Sequence, residues 1–242
     1  MEELYDYMIW GDYNKRMEEL ADIALEEPWS FGDQNDLGIL KNYMKHTFFR
    51  LLAENKVVET EKYCVFNTGL FTKYYEQIYV YGEKENFDWK FREYCTDYDL
   101  GEYGVEKIPE RADYFWDPSL LVFDWHYPVN VQYKHILEDE ANRKRLPKMV
   151  LKSQNKLAIL KGAIDISIKR VMANYKLAVP QYFHGKIQLL LPLYFEKDTP
   201  ELALVVSKTQ NGYYQGHTCL TIEMAYNNAR LIARPESNWL VP

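Results

Sequence analysis

The stretch KIQLLLPLYF at residues 186–195 is the first of three consecutive apolar segments that decide the fold, and ELALVVSKTQ (201–210) and YYQGHTCLTI (213–222) follow it. All three segments are rich in branched and aromatic residues, which favour strands. Asn211-Gly212, between the second and third segments, is typical of a tight hairpin. The last third of the chain is therefore predicted to be an antiparallel region, followed by a helix over residues 223–233.

Helix spacing is clearest just before this region, over residues 153–178. The apolar positions there recur every three or four residues and form one stripe, at Leu157, Leu160, Ile164, Ile168, Val171 and Tyr175. Short β-rich runs occupy residues 56–81. The pattern predicts a single α+β domain, in which a mixed or largely antiparallel sheet is packed by the long basic helix and by a C-terminal helix.

The amino-terminal half divides into an acidic helical extension, residues 1–35, and the beginning of a core that spans residues 36–242. Residues 87–118 are aromatic and acidic without a clear period. An irregular surface segment that can lie over a cleft as a lid is expected there. We see no repeat and no linker long enough to split the chain.

Composition excludes several classes of protein. The chain of 242 residues is 47% hydrophobic and 27% charged, which is ordinary for a globular protein and excludes disordered and collagen-like classes. No run reaches the roughly 18 apolar residues of a membrane helix, and MEELYDYM is acidic where a signal peptide is basic. A cytoplasmic protein without membrane contact is expected. Three widely spaced cysteines indicate neither a disulfide framework nor a cysteine zinc site.

Charge is distributed unevenly along the chain. Residues 1–142 carry 14 Lys+Arg against 30 Asp+Glu, whereas residues 143–176 carry 10 against 1. A block this basic within an acidic chain is either a phosphate-contacting face or a solvated helix that pairs with the acidic half. The acidic part is itself a candidate surface for a protein partner.

Common catalytic and cofactor motifs are missing from the sequence, including G-x-G-x-x-G, the P-loop, H-E-x-x-H and G-x-S-x-G. No cofactor and no metal are expected. Asp124 and His126 lie two apart on a predicted strand, which suits a hydrogen-bonded pair or two metal ligands, but a third ligand is not evident. His184 and His217, on neighbouring strands, are candidates for an acid and base pair, and Glu223 is a further candidate.

Amides, guanidinium groups and aromatic rings are the more prominent candidates, because they bind ligands without titrating near neutral pH. Asn67-Thr68-Gly69 follows an apolar strand, and the expected turn would present backbone N–H groups, an amide and a hydroxyl to a phosphate or carbonyl, or be a plain turn. The long helix and the segment after it supply a second group. The final helix supplies a third. The candidate ligand-binding residues are Asn67, Thr68, Gly69, Arg170, Asn174, Tyr175, Gln181, Gln188, Tyr226, Asn227, Asn228 and Arg230.

Five segments together resemble a bacterial domain family of unknown function that occurs alone or C-terminal to cold-shock-like and OST-HTH/LOTUS RNA-binding modules. The segments are HTFFRL (46–51), VFNTGL (65–70), RVMANYKLAVPQYF (170–183), IQLLLPLYF (187–195) and LTIEMAYNNARLIARPESNWL (220–240). The resemblance extends over residues 36–239, and by motif match it covers the candidate residues above except Asn227. Because such domains occur next to RNA-binding modules in the same protein, the resemblance implies a role with RNA.

Three functions follow as expectations. The first is binding of RNA or a nucleotide in RNA processing or a conflict system, with arginines on phosphate, amides on a base edge and Tyr175 or Tyr226 stacking. The second is metal-independent hydrolysis or transfer of a phosphoester on RNA or a nucleotide derivative. The third is an acidic protein-interaction module. Whether the Asn and Arg residues line a pocket or form a structural polar network stays open.

Overall fold

The computed structural model describes residues 4–242, which fold into two compact units that meet in sequence between Asp113 and Tyr114. Each unit contains one five-stranded sheet with one parallel and three antiparallel pairings. The predicted α+β class is confirmed, although the strands form two sheets where one was expected. Residues 1–3 of the predicted acidic helix lie outside the described residues.

The described residues of the first unit, 4–113, contain five strands and three helices. The strands are β1 (Met8–Ile9), β2 (Val58–Glu59), β3 (Tyr63–Phe71), β4 (Gln77–Glu85) and β5 (Asp88–Cys95), in the sheet order β1-β5-β4-β3-β2. The helices are α1 (Tyr13–Ile23), α2 (Gly38–Ala53) and α3 (Asp97–Glu102), and Leu4–Asp6 form a 3-10 turn.

Two expectations for the first unit need correction. Residues 87–118 are not irregular throughout, because β5 and α3 occupy their first half. β5 alternates aromatic and charged residues, so its apolar face is narrow, and Phe91 is a buried position within it. The predicted acidic helix is also interrupted, since β1 pairs in parallel with β5 ahead of α1. Met8, Met17 and Leu20 are fully buried, so these early residues belong to the core of the unit.

The second unit has its own five strands, in the sheet order β6-β10-β9-β8-β7. The strands are β6 (Val129–Val131), β7 (Val179–Phe183), β8 (Lys186–Leu193), β9 (Leu202–Lys208) and β10 (Tyr214–Leu220). The helices are α4 (Tyr133–Glu138), α5 (Glu140–Arg143), α6 (Lys148–Lys152), α7 (Lys156–Ala173) and α8 (Ile222–Arg230). Short 3-10 turns occupy Pro118–Leu121 and Tyr175–Leu177.

Helices α7 and α8 pack on opposite faces of the second sheet. Leu160 and Ile164 of α7 share one hydrophobic core with Leu189 and Leu191 of β8. Side chains alternate along a strand, so Gln188 of β8 faces the other way, towards α8. The three predicted strands, the hairpin and both helices are confirmed. Strand β7 was not expected, because Pro180 is unfavourable inside a ladder, but β7 is an edge strand.

No helix among residues 4–242 is long and apolar enough to cross a membrane.

Candidate functional site

Asn67, Thr68 and Gly69 lie inside strand β3, where the pairing with β4 changes register, and not in the predicted turn. The Asn67 side-chain oxygen accepts the Gly69 N–H at 2.8 Å, and its amide nitrogen donates to Gln77 at 2.9 Å. Thr68 donates its hydroxyl to the Ile78 carbonyl at 2.7 Å. Asn67 and Thr68 are both 1% exposed. The triplet is therefore a β-bulge whose polar groups bond to their own unit.

The amides of the second unit form one continuous chain of hydrogen bonds. Asn228 of α8 donates to the side-chain oxygen of Gln181 at 3.2 Å, and Gln181 donates to Gln188 at 2.9 Å. Gln188 then donates to the Ser207 hydroxyl at 2.9 Å. Gln181 pairs with Gln188 across the ladder, so the chain runs from α8 over β7 and β8 to β9. These groups join α8 to the sheet, as expected of a satisfied polar network.

Arg170, Asn174 and Tyr175, the candidate residues near the end of α7, each lie in a different environment. Arg170 is exposed and its guanidinium lies 3.8 Å from the centroid of the Tyr194 ring. A stacked guanidinium keeps its edge N–H groups available for an anion. Asn174 caps the following 3-10 turn, because its side-chain oxygen accepts the Lys176 N–H at 3.2 Å. Tyr175 is 60% exposed, so its ring is open to stacking.

The candidate residues of α8 are more enclosed. Tyr226 and Arg230 are 2% and 6% exposed. Both take part in interactions within the protein. The side-chain oxygen of Asn227 is buried and accepts no hydrogen bond from the described residues. Asn227 therefore has acceptor capacity that its neighbours do not use.

Parts of two segments flagged from the sequence, 170–183 and 220–240, meet in the second unit and line a half-open cavity of about 310 Å³. One wall is formed by residues 176–180 and the other by residues 229–237, and Trp239 ties them together by donating its indole N–H to the Leu177 carbonyl at 2.9 Å. The lining comprises Lys176, Ala178, Val179, Pro180, Ala229, Ile232, Ala233, Arg234, Pro235, Glu236 and Ser237. The cavity thus combines an apolar wall with two cationic side chains, Lys176 and Arg234, and one carboxylate, Glu236. Arg234 also takes part in an interaction within the protein.

Asp124 and His126 do form the expected hydrogen-bonded pair, with Nδ1 of His126 2.7 Å from a carboxylate oxygen of Asp124. They lie in a turn before β6, however, and not on a strand. The hydrogen bond from His126 holds the pKa of Asp124 below its usual range. Among residues 4–242, no group of three or more His, Cys, Asp or Glu side chains is arranged to hold a metal ion.

The three candidate acid/base residues differ in environment. His184 lies exposed in the turn between β7 and β8 with φ +45°, against the Phe183 ring. Glu223 is exposed in the first turn of α8. His217 is partly buried on β10, and burial, then His135 and Lys186, lower its pKa below the ordinary value. His135 of α4 is thus one of the charged groups that affect the pKa of His217, and the acid and base pair of His184 and His217 stays a prediction.

Cysteine chemistry is unfavourable in this chain. Cys64, Cys95 and Cys219 are buried and free. Burial raises the pKa of each thiol to about 12. The reactive thiolate is therefore scarce at neutral pH.

The sequence model of the family described as "Domain of unknown function (DUF3825)" matches residues 20–239. The chain belongs to this family. No curated protein and no solved structure shows significant similarity to the chain. The DUF3825 match begins sixteen residues before the start that the sequence resemblance gave, and therefore includes part of α1. It also contains both walls of the cavity.

None of the twelve candidate ligand-binding residues lines the cavity, and its cationic residues Lys176 and Arg234 were not selected from the sequence. Both flank a selected segment, Lys176 directly after Tyr175 and Arg234 four residues after Arg230. Their common feature, a single cation three or four residues after the end of a helix, is too frequent in sequences to mark a site. Lys176 and Arg234 can be recognised as cavity residues only in the folded chain, where residues 176–180 and 229–237 lie side by side.

Proposed function

We propose that this DUF3825 chain binds RNA or a free nucleotide, and that the cavity between residues 176–180 and 229–237 holds a phosphorylated nucleoside. The observation that supports the proposal most directly is the pairing of Lys176 and Arg234 with an apolar wall in one cavity. Ligand sites are commonly concave and mostly apolar, with a few polar groups that fix orientation.

The residues that line the cavity suit the two parts of a nucleotide, its base and ribose on one side and its phosphate on the other. Val179, Pro180 and Ile232 supply apolar surface on which a base or ribose can pack. Lys176 and Arg234 supply N–H donors for phosphate oxygens, and hydrogen bonds of this kind to ionised groups are stronger than neutral ones. Glu236 accepts hydrogen bonds from a base amino group or a ribose hydroxyl. We do not assign Gln181 and Gln188 to contacts with a base edge, because their amides bond to each other and hold α8 against the sheet.

Charge favours the second unit as the RNA-binding part of the chain. Residues 1–113 carry 13 Lys+Arg against 25 Asp+Glu, whereas residues 114–242 carry 16 against 11. A polyanion is attracted to the basic unit and repelled by the acidic one. The resemblance to domains that accompany cold-shock-like and OST-HTH/LOTUS modules agrees with an RNA ligand, in RNA processing or a conflict system.

The test is binding of a fluorescein-labelled, unstructured 12-nucleotide RNA, measured by fluorescence anisotropy, with nucleoside mono- and diphosphates as competitors. Lys176→Ala removes one charge-assisted contact and is expected to weaken binding about tenfold. Lys197→Ala is the matched control, because Lys197 is exposed in the loop between β8 and β9 and does not line the cavity. It should leave the dissociation constant unchanged.

Two results would contradict the proposal. One is an RNA affinity that falls equally in the two lysine variants, which would mean only general charge attraction. The other is retention of neither RNA nor nucleotide by the wild-type chain while a protein partner binds in a salt-sensitive manner. That second result would favour an interaction surface on the acidic unit.

A further inference from the structure

Arg170, in the last turn of α7, is held on the ring of Tyr194. Its guanidinium carbon lies 3.8 Å from the ring centroid. A planar guanidinium stacked in this way has a fixed orientation, and its edge N–H groups stay available for a second partner. The preceding Lys169 is paired with Asp165 at 2.6 Å, whereas Arg170 forms no ion pair within residues 4–242. Arg170 therefore presents a positive charge that an external anion can bind.

Strand topology places this stack at the same end of the second sheet as the cavity. β7 and β8 are antiparallel, with Val179 opposite Leu190. β8 therefore ends, directly before Tyr194, at the end of the sheet where β7 begins. Residues 176–180, which lead into β7 there, form one wall of the cavity. The Arg170 stack and the cavity thus lie beside the same connector, the one between α7 and β7.

Hydrogen bonds within this connector limit the distance from the stack to the cavity wall. The Asn174 N–H donates to the Arg170 carbonyl at 2.9 Å, and the Asn174 side-chain oxygen accepts the Lys176 N–H at 3.2 Å. One turn of helix followed by two residues sets the Cα atoms of Arg170 and Lys176 no more than roughly 14 Å apart. Tyr175, which is 60% exposed, lies between them.

These three side chains have the properties of a site for single-stranded nucleic acid. Such sites combine cations that follow the phosphate backbone with exposed aromatic rings on which bases stack. Arg170 offers a fork of N–H groups that matches two oxygens of one phosphate. Lys176 carries its charge at the cavity, and Tyr175 offers an open ring between the two cations.

We propose that the ligand of the second unit is a strand of RNA that occupies about three to four nucleotides of length, at roughly 3.4 Å for each stacked nucleotide. The cavity holds one nucleotide of the strand, Arg170 binds a phosphate farther along it, and Tyr175 stacks on a base between them. This inference rests on the proposed binding of RNA or a free nucleotide, and it chooses the RNA strand over the free nucleotide.

The experiment compares ligands of different length on the full chain. The labelled 12-nucleotide RNA is displaced by a tetranucleotide of its own sequence or by the corresponding nucleoside 5′-monophosphate, and anisotropy gives the dissociation constant of each competitor. The variants are Arg170→Ala, Tyr175→Ala and Tyr175→Phe. Arg143→Ala is the matched control, because Arg143 belongs to the same basic block but is exposed on α5, which bonds to β10, three strands from β7.

The tetranucleotide should bind the wild-type chain at least about tenfold more tightly than the mononucleotide. Arg170→Ala removes a charge-assisted contact, so it should weaken tetranucleotide binding about tenfold and leave mononucleotide binding within about twofold of wild type. Tyr175→Ala should weaken tetranucleotide binding about tenfold as well, whereas Tyr175→Phe keeps the ring and should keep the wild-type affinity. Arg143→Ala should change neither dissociation constant by more than about twofold.

Equal affinity of the wild-type chain for the tetranucleotide and the mononucleotide would overturn this inference and leave nucleotide binding in the cavity intact. Tetranucleotide binding that is unchanged in Arg170→Ala and Tyr175→Ala would overturn it too, as would equal losses in Arg170→Ala and Arg143→Ala. Failure of the wild-type chain to bind any of the three ligands would instead overturn the proposed function together with this inference. Arg170 and Tyr175 are exposed, so their variants should fold, and circular dichroism checks this.

Discussion

At the scale of single residues, Gly69 decides the geometry of the bulge in β3. Its φ is +78°, a conformation that residues with a Cβ rarely adopt. A Cβ at this position would also collide with the hydroxyl of Tyr43, which donates to the Thr68 carbonyl at 3.0 Å. Both the backbone conformation and the space therefore require glycine.

Substitution of Gly69 by alanine should destabilise the chain by about 2–3 kcal/mol, measured as the free energy of unfolding in urea. Gly185→Ala is the control, because Gly185 has the same φ of +78° and open space around the added Cβ. It should cost about 1 kcal/mol. Equal losses in the two variants would show that Tyr43 moves aside at no cost and would remove the steric part of the argument.

The Asn-Thr-Gly triplet also shows what the sequence leaves undetermined at this scale. Asn, Thr and Gly are favoured in turns for the same reasons that they are favoured in bulges, namely local side-chain hydrogen bonds and freedom at positive φ. The choice between the two depends on Tyr43 and Ile78, which are distant in sequence and bond to Thr68. The sequence therefore indicated that these three residues have an irregular backbone with local hydrogen bonds, but it did not determine whether they form a turn or a β-bulge.

At the scale of elements, the amide chain from Asn228 to Ser207 fixes α8 on the sheet. Each of its amides donates to the next member, and Gln181 is 1% exposed. Removal of one member leaves a buried donor and a buried acceptor without partners. The cost of an unsatisfied buried group exceeds the net gain from a hydrogen bond that is made.

Gln181→Leu should therefore lower the free energy of unfolding by about 2–3 kcal/mol. The double variant Gln181→Leu/Gln188→Leu should lose about 1–2 kcal/mol less than the sum of its single variants, because it removes partners together. Chemical denaturation of the wild type, both single variants and the double variant completes the cycle. Strict additivity would mean that the two glutamines act independently and that no coupled chain exists.

Local sequence predicted some elements well and others poorly, for physical reasons. The hairpin at Asn211-Gly212 and helix α7 depend on neighbouring residues, so their signals are local. Strand β7 contains Pro180, which is tolerated only because β7 lies at the edge of its sheet. The parallel pairs of β1 with β5 and of β6 with β10 join segments about 80 residues apart, and nothing in either segment alone indicates its partner. The cavity was not predictable from local sequence either, because its walls come from two segments that are distant in the chain.

At the scale of the whole molecule, charge is the property that bears most on RNA. The chain has a net charge of −7, yet residues 143–176 alone contribute ten basic side chains against one acidic one. Part of this block is already engaged, as in the pairing of Lys169 with Asp165 at 2.6 Å and the stacking of Arg170 on Tyr194. If the proposed function holds, we therefore expect RNA to be attracted through a limited region of a chain whose net charge repels it.

RNA affinity should consequently fall steeply with salt, although the protein as a whole is acidic. Each phosphate contact to a single strand contributes a slope of about −0.7 in a plot of log Kobs against log[salt]. Lys176→Ala should reduce the magnitude of that slope by about this amount, whereas Lys197→Ala should not, and anisotropy between roughly 50 and 300 mM salt measures both. Binding that strengthens with salt would mean that repulsion from the acidic unit outweighs the contacts in the second unit, and the cavity would then not be the RNA-binding site.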